Sequence, residues 1–342
     1  MKPATVHRAA IIALYHLLAL GASAQTSSLR FLNDNKPILD AHNCYPYDGR
    51  WNDRIDRALK LGFPIAIEQD LAWVRDSSAD GGRVVVAHGP ETTGAEPTLR
   101  DYFFERVRPI IQKALAENHR SSWPLIVVHF DVKDNREPLL RSVWKLLGEY
   151  ESWISTAVKT ADAHQLSELS AGPLLVLTED SDEQQRIFYD ELPVGTKLRI
   201  FGSAHTFVPR TKDRAESIHL ATTLAPDQLL REPATNYRRW WNNSWYAVEE
   251  GGQQHAGAWT SADNARLRSL VERAHQLGYW IRFYTLDGFA AADGKANGWF
   301  ETYNFGSPSA AAERWRAAIE AGVNLIATDE YEALARTLHR IE

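Results

Sequence analysis

Carboxylates lie two residues apart near the ends of short apolar runs in this sequence. Glu68 and Asp70 close the run 64–71, and Asp131 lies near the end of the run 124–133. Residues two apart on a β-strand project from the same face, so Glu68 and Asp70 should point together. Buried carboxylates that repel one another are costly unless a cation compensates them, and oxygen ligands suit Mg²⁺ or Ca²⁺. The three residues are therefore predicted to ligate one divalent cation.

The same spacing fits a second interpretation, in which the carboxylates form ion pairs with interior basic residues. Lys133, two residues after Asp131, and Arg282, in a later apolar run, are the candidates. Both interpretations place Glu68 and Asp70 inside the fold.

Two histidines add a possibility of proton transfer, because histidine titrates near neutral pH. His42 ends the run 38–42, and His88 ends the run 83–88. Cleavage of a phosphodiester needs a base, an acid and positive charge on the phosphoryl oxygens. His42, His88, Lys133 and a cation would supply all three.

The elements that would position these residues alternate along the chain. Strands are predicted at 38–42, 64–71, 124–133, 173–177, 198–201, 244–248, 280–286 and 324–327, with a short extra strand at 83–88. Helices are predicted at 51–61, 98–117, 138–150, 261–277 and 308–321. Eight strands separated mostly by helices predict an α/β fold, a single-domain (β/α)8 TIM-type barrel, with the active site at the carboxyl ends of the strands.

Four short segments, in order, resemble the PI-PLC-like phosphodiesterase superfamily, which includes glycerophosphodiester phosphodiesterases and sphingomyelinase D. The segments are Asp40–Asn43, Ile67–Asp70, Val85–His88 and Phe130–Lys133, and 283–287 and 321–329 are similar to its late strands. The resemblance implies a barrel in which His42 and His88 are the acid and base. It also implies Glu68, Asp70 and Asp131 as ligands of Mg²⁺ or Ca²⁺, and Lys133 as a phosphate contact.

Within the superfamily the motifs depart from the glycerophosphodiesterase pattern. Asn43 stands where those enzymes have an Arg after the first His, so Asn43 and Arg282 or Arg50 are the candidates for binding phosphate. Tyr284 is a candidate headgroup contact or a residue that fills the barrel interior, and the sequence favours the second role. The substrate class is a small phosphodiester or a phospholipid headgroup, and glycerophosphodiesters, lysophospholipid, sphingomyelin and phosphoinositides all stay open.

Three other features allow two interpretations each. Cys44 beside His42 is a nucleophile or a small buried spacer, and the sequence favours the spacer. His129, on the same strand face as Asp131, is a hydrogen-bond partner of the site or a core histidine. The segment 237–245, rich in Trp and Arg, either stacks on a ligand or packs under a loop.

Residues 1–24 are typical of a secretory signal peptide, with a basic start, an apolar run and a small-residue site ending at Ala24. The barrel is accordingly expected over residues 25–342 and the protein outside the cytoplasm, extracellular or periplasmic. The single cysteine excludes an internal disulfide. A net charge of −6 without a basic stripe excludes nucleic acid as a partner. Transient contact with a membrane surface and the oligomeric state stay open.

Two other functions use comparable residues. A glycoside hydrolase on a barrel would employ two carboxylates about 5–5.5 Å apart, but it has no use for the two histidines. A binding barrel without catalysis would keep the fold alone. A cation requirement for activity distinguishes a phosphodiesterase from a glycoside hydrolase. Loss of phosphodiesterase activity in a His42→Ala variant distinguishes an enzyme from a binding barrel.

Overall fold

The computed structural model describes residues 30–47, 49–76, 81–89, 91–209, 211–249, 257–300 and 304–339. The predicted signal peptide at 1–24 lies outside these residues. In the described part of the chain, no helix combines the length and apolar character needed to cross a bilayer.

Eight parallel strands close into a barrel. They are β1 (Ile38–Ala41), β2 (Ile65–Arg75), β4 (Ile126–Val132), β6 (Leu174–Thr178), β8 (Phe201–Ser203), β9 (Arg238–Ser244), β10 (Trp280–Tyr284) and β11 (Leu325–Thr328). Each pairs with the next in this order, and β1 pairs with both β2 and β11, so the sheet has no open edge. The predicted (β/α)8 barrel is confirmed.

Helices lie between the strands. They are α1 (Arg30–Asn33), α2 (Arg54–Leu59), α3 (Glu105–Glu117), α4 (Glu137–Glu149), α5 (Asp182–Gln185), α6 (Arg214–Thr223), α7 (Pro226–Leu229), α8 (Ser261–Gln276), α9 (Ala291–Asn297), α10 (Pro308–Ala321) and α11 (Tyr331–Leu338). Short π-helical segments at Arg100–Phe104 and Arg186–Asp190 adjoin α3 and α5, and single 3-10 turns occupy Arg120–Ser122, Glu151–Trp153 and Trp245–Ala247. All five predicted helices are present, with ends shifted by up to three residues when the π-helical segment Arg100–Phe104 is counted with α3.

A β-ribbon extends the barrel on one side of its mouth. The eleven-residue strand β2 continues past the rim and pairs antiparallel with β3 (Gly82–Val86). This ribbon carries the chain back toward the barrel opening, where His88 follows β3. A second small antiparallel pair, β5 (Ala157–Val158) and β7 (Lys197–Leu198), lies outside the barrel sheet.

Two strand predictions need correction. The predicted strand 244–248 is wrong: the chain is a strand at Arg238–Ser244 and then a 3-10 turn. The predicted strand 198–201 is divided, because Lys197–Leu198 pairs with β5 and only Phe201–Ser203 joins the barrel. In both places the barrel strand carries Arg, Asn or Gly on its sequence, so hydrophobic alternation gives no guide to its position.

The clustered tryptophans belong to the core. Trp240, Trp241 and Trp245 are fully buried. Burial excludes stacking of these three rings on a ligand, so the packing interpretation is correct, although the segment is a barrel strand and not a loop.

Candidate active site

The register between β2 and β4 brings the three predicted carboxylates together. Glu68 pairs with His129, and Asp70 pairs with Asp131, so alternate residues of both strands share the inward face. Oxygen atoms of Glu68, Asp70 and Asp131 lie within 4.8 Å of one another. The parity argument from the sequence therefore predicts this cluster correctly.

Asp70 occupies the deepest position in the cluster. Burial, and then the neighbouring Asp131, raise the pKa of its carboxyl well above the usual range. Lys133 compensates in part, with Nζ 3.0 Å from Asp70 Oδ2 and 2.6 Å from Asp131 Oδ2. Among the described residues, Asp70 Oδ1 receives no hydrogen bond. A buried, unsatisfied carboxylate oxygen within an all-oxygen cluster fits a hard divalent cation.

Glu68 is held from the opposite wall of the barrel. Arg282 donates to Glu68 through Nη2 and to Asp40 through Nε, and all three side chains are buried. Burial alone would raise the pKa of Glu68, but the charges of His42 and Arg282 outweigh it and hold the pKa well below the usual range. The ion pairs of the second sequence interpretation are thus present, and they leave the carboxylate cluster intact.

These contacts bear on the role predicted for Arg282. Its Nη1 also donates to Asn242 Oδ1 at 3.0 Å, so Arg282 fixes three side chains of the barrel interior. A role in binding substrate stays a prediction, and the contacts themselves assign Arg282 to ordering the carboxylates.

His42 stands beside the cluster with both ring nitrogens near carboxylates. Nδ1 lies 3.0 Å from Asp329 Oδ1, and Nε2 lies 3.8 Å from Glu68 Oε2. Burial opposes protonation, but Glu68 and the hydrogen bond to Asp329 outweigh it and raise the pKa of His42 to about 9. Asp329 thereby fixes the ring orientation and directs Nε2 toward the carboxylate cluster.

Asn43 donates hydrogen bonds to Asp329, the carboxylate that orients His42. Its backbone is in the left-handed region, at φ 49°, which Asn tolerates better than most residues. Nδ2 donates to Asp329 Oδ1 at 3.0 Å and Oδ2 at 3.2 Å, and Oδ1 accepts from the Tyr45 hydroxyl at 2.6 Å. The predicted contact of Asn43 with substrate stays a prediction. The contacts present orient Asp329.

His88 lies at the mouth of the site and is exposed. Its ring stacks on Phe300, with centroids 4.9 Å apart, and meets the edge of Tyr47 at 6.4 Å. Burial of part of the ring and the Lys133 charge lower the pKa of His88. The two histidines predicted from the sequence thus have different surroundings: one is paired to carboxylates, and the other is held by aromatic rings.

One cavity of about 360 Å³ contains almost all of the predicted residues. It is lined by His42, Asn43, Glu68, His88, His129, Asp131, Lys133, Glu179, Asp180, Asn242, Arg282 and Tyr284. Tyr284 lies parallel to His42, with ring centroids 6.1 Å apart. Asp70 lies beneath the cavity, in contact with Lys133.

Sequence reasoning missed Glu179 and Asn242. Glu179 follows β6 directly and receives hydrogen bonds from His129 and Asn242. The rule that found Asp70 and Asp131, a carboxylate at the end of a strand, would have found Glu179. His129 is buried and its Nε2 contacts Glu179, so it is a hydrogen-bond partner within the site. Burial lowers the pKa of His129, but the charge and hydrogen bond of Glu179 together with Glu68 outweigh burial and raise that pKa to about 9.

Cys44 has no exposed surface. Burial raises the pKa of its thiol well above the usual range, which disfavours the thiolate needed in a nucleophile. The buried-spacer interpretation fits these observations.

No protein-family model and no curated protein matches this chain. Among solved structures, it is similar to a glycerophosphoryl diester phosphodiesterase from Parabacteroides distasonis ATCC 8503, with 12% identity, a TM-score of 0.40 and 93% of each chain covered. It is also similar to Plasmodium falciparum HPPK-DHPS wild type with STZ-DHP, with 8% identity, a TM-score of 0.41, and 90% of this chain and 47% of that one covered. The chain thus spans about half the length of HPPK-DHPS. Because these likenesses are distant, the fold assignment rests on the strand pairing and the function on the site.

Proposed function

We propose that this protein is a divalent-cation-dependent phosphoric diester hydrolase that acts on a small phosphodiester or a phospholipid headgroup. The observation that carries the proposal is the convergence of a three-carboxylate cluster, two histidines and one lysine at a single cavity, which all of these residues line except Asp70, directly beneath it. That combination supplies acid–base groups and positive charge for phosphoryl chemistry. The order of the motifs resembles the PI-PLC-like superfamily, which supports the same reaction class.

Glu68, Asp70 and Asp131 would hold Mg²⁺ or Ca²⁺, since their oxygens already lie within 4.8 Å of one another. When bound, the cation would withdraw charge from the phosphoryl oxygens. Lys133 lines the cavity beside Asp131 and places its ammonium where it can contact a phosphate oxygen.

The two histidines divide the proton transfers. One imidazole takes the proton of the attacking hydroxyl, from water or from the substrate itself, and the other gives a proton to the oxygen that leaves phosphorus. Asp329 keeps His42 in one orientation, and Phe300 and Tyr47 hold His88 at the mouth. Attack by a substrate hydroxyl would give a cyclic phosphodiester, and attack by water would give a monoester.

We propose that the enzyme acts outside the cytoplasm, because residues 1–24 have the pattern of a secretory signal peptide. Signal-peptide cleavage after Ala24 is tested by N-terminal sequencing of the secreted protein. An N-terminus other than Gln25 would contradict the position of the cleavage site.

The central experiment is a panel of glycerophosphodiesters, lysophospholipid, sphingomyelin and phosphoinositide, incubated with wild type and His42→Ala in Mg²⁺ or Ca²⁺. Phosphorus NMR of the products separates cyclic from open phosphates. The proposal expects one substrate to be cleaved by wild type only, and the activity to disappear in chelator and return with cation. Full activity in chelator would contradict the cation requirement, and equal activity of His42→Ala would contradict the acid–base role.

A further inference from the structure

Five side chains inside the barrel form a ring next to the carboxylate cluster, in which four links are hydrogen bonds and the fifth, between His129 and Glu68, is a longer ion-pair contact. His129 Nε2 lies 2.5 Å from Glu179 Oε1, and His129 Nδ1 lies 3.7 Å from Glu68 Oε2. On the other side, Arg282 donates to Glu68 and, at 3.0 Å, to Asn242 Oδ1. Asn242 Nδ2 completes the ring by donating to both oxygens of Glu179 at 3.1 and 3.2 Å. Glu68 and Glu179 therefore occupy opposite points of one ring.

The side chains of this ring have little freedom. His129 is 1% exposed, and its ring meets Trp240 edge-on at 4.7 Å between centroids. Glu68 is 3% exposed. A change at Glu179 can reach Glu68 through hydrogen bonds of Asn242 and Arg282, and through the charge of His129, whose Nδ1 lies 3.7 Å from the same Glu68 oxygen.

We propose that Glu179 is a positioning residue for the cation site, which it serves by fixing the orientation of the Glu68 carboxylate through His129 and through Asn242 and Arg282. The inference rests on the proposed function, because it takes Glu68 as a cation ligand. Glu179 itself does not ligate the same ion. The oxygens that lie within 4.8 Å of one another belong to Glu68, Asp70 and Asp131, and both Glu179 oxygens already accept hydrogen bonds.

The physical reason is that a ligating carboxylate binds well only when its orientation is set before the ion arrives. Loss of such outer hydrogen-bond partners typically costs about 10- to 100-fold in metal affinity or activity. In Glu179→Gln, an NH₂ group that donates hydrogen bonds replaces one of the two carboxylate oxygens. Since Asn242 donates to both oxygens, one of its contacts becomes a donor facing a donor whichever way the amide is turned, and the ring is weakened at Asn242.

The experiment measures cation binding by calorimetry, without substrate, on the full chain. Titration with Mg²⁺, Ca²⁺ or Mn²⁺ is compared for wild type, Glu179→Gln, His129→Gln, their double variant and Glu68→Gln. Glu151→Gln is the matched control, because it also replaces an ion-paired carboxylate by an amide, but outside the cavity. The electron paramagnetic resonance spectrum of bound Mn²⁺ reports the geometry of the ligands, and thermal unfolding in chelator reports folding.

We expect Glu179→Gln and His129→Gln each to weaken cation affinity by about 10-fold or more. We expect the double variant to lose less than the sum, because both changes weaken the same ring. The Mn²⁺ spectrum should broaden, and kcat should recover toward wild type at saturating cation. A purely structural role would lower the unfolding temperature and leave the cation midpoint of the folded protein unchanged.

Two results would overturn the inference. Cation affinity of Glu179→Gln within about twofold of wild type, while Glu68→Gln binds no cation, would remove the positioning role and leave the proposed function intact. Wild-type affinity in Glu68→Gln would overturn the cation site itself, and the inference with it.

Discussion

Replacement of Asp329 by Asn tests whether the buried contact to His42 is needed for catalysis. Asp329 is 1% exposed and accepts from Asn43 at both oxygens, while His42 Nδ1 lies 3.0 Å from Oδ1. The Asn side chain has the same size but only one acceptor oxygen. Whichever way the amide is oriented, its NH₂ group faces the NH₂ group of Asn43, and in one orientation it also faces His42. The variant therefore cannot satisfy all three contacts.

The size of the effect follows from the charge of the lost partner. A hydrogen bond to a charged group contributes about 1.5–3 kcal/mol, which corresponds to about 10- to 150-fold in rate if the contact is needed in the transition state. Removal of the negative charge also removes one of the contributions that raise the pKa of His42 to about 9. The limb of the pH profile governed by His42 should consequently move to lower pH.

The assay is steady-state kinetics on a phosphodiester that wild type cleaves, at saturating cation, with pH profiles of kcat and kcat/KM. We expect kcat to fall by about 10- to 150-fold, with the melting temperature in chelator showing that the protein remains folded. Since both residues act as one unit, Asp329→Asn should add nothing to the loss in His42→Ala. A folded Asp329→Asn variant with kcat within about twofold of wild type and an unmoved pH profile would refute this reasoning.

Three further variants test other parts of the fold and site. Lys133→Met should raise KM for a phosphodiester, because a positive charge that contacts phosphate is lost, and an unchanged KM would exclude that contact. Without cation, the variant should also raise the pKa of Asp70 further, since Lys133 is the positive charge beside that carboxyl. Cys44→Ala should leave kcat within about threefold of wild type, because the thiol is not a nucleophile, and should lower the free energy of urea unfolding by about 1–2 kcal/mol, because a buried side chain becomes smaller. A folded but inactive variant would contradict the spacer role. Trp240→Ala should cost about 3–5 kcal/mol in the same assay, since the ring is fully buried, and a loss below about 1 kcal/mol would contradict its place in the core.

Much of the fold could be predicted from the sequence because most barrel strands here are short apolar runs bounded by helices. The β9 strand is the exception. Arg238–Ser244 carries Arg at its start and Asn near its end, and Asn242 faces the polar interior. Each face of this strand carries both Trp and Asn, since Trp240 shares the inward face with Asn242, and Trp241 shares the other face with Asn243. The strand therefore lacks hydrophobic alternation, and the pattern predicts a strand at 244–248 instead.

Parity along a strand predicted the cluster of Glu68, Asp70 and Asp131, because those residues lie on neighbouring strands in a fixed register. The same parity would place Asp40 inward beside His42, since the two are two residues apart, but the sequence offers no reason to treat Asp40 as compensated.

The positive charge that compensates Asp40 comes from across the barrel. Arg282 on β10 reaches Asp40 on β1 and Glu68 on β2, strands that are brought close only because the sheet closes between β1, β2 and β11. The alternation of side chains along a strand determines which face of the sheet each side chain lies on. It does not determine which side chain of a distant strand lies opposite. The stagger of the closed barrel sets that relation. For this site the sequence therefore predicts which carboxylates lie close together. Closure of the barrel determines which basic side chain neutralises each of them. Asp70 Oδ1, which receives no hydrogen bond from the described residues, is the oxygen at which the proposed cation would bind.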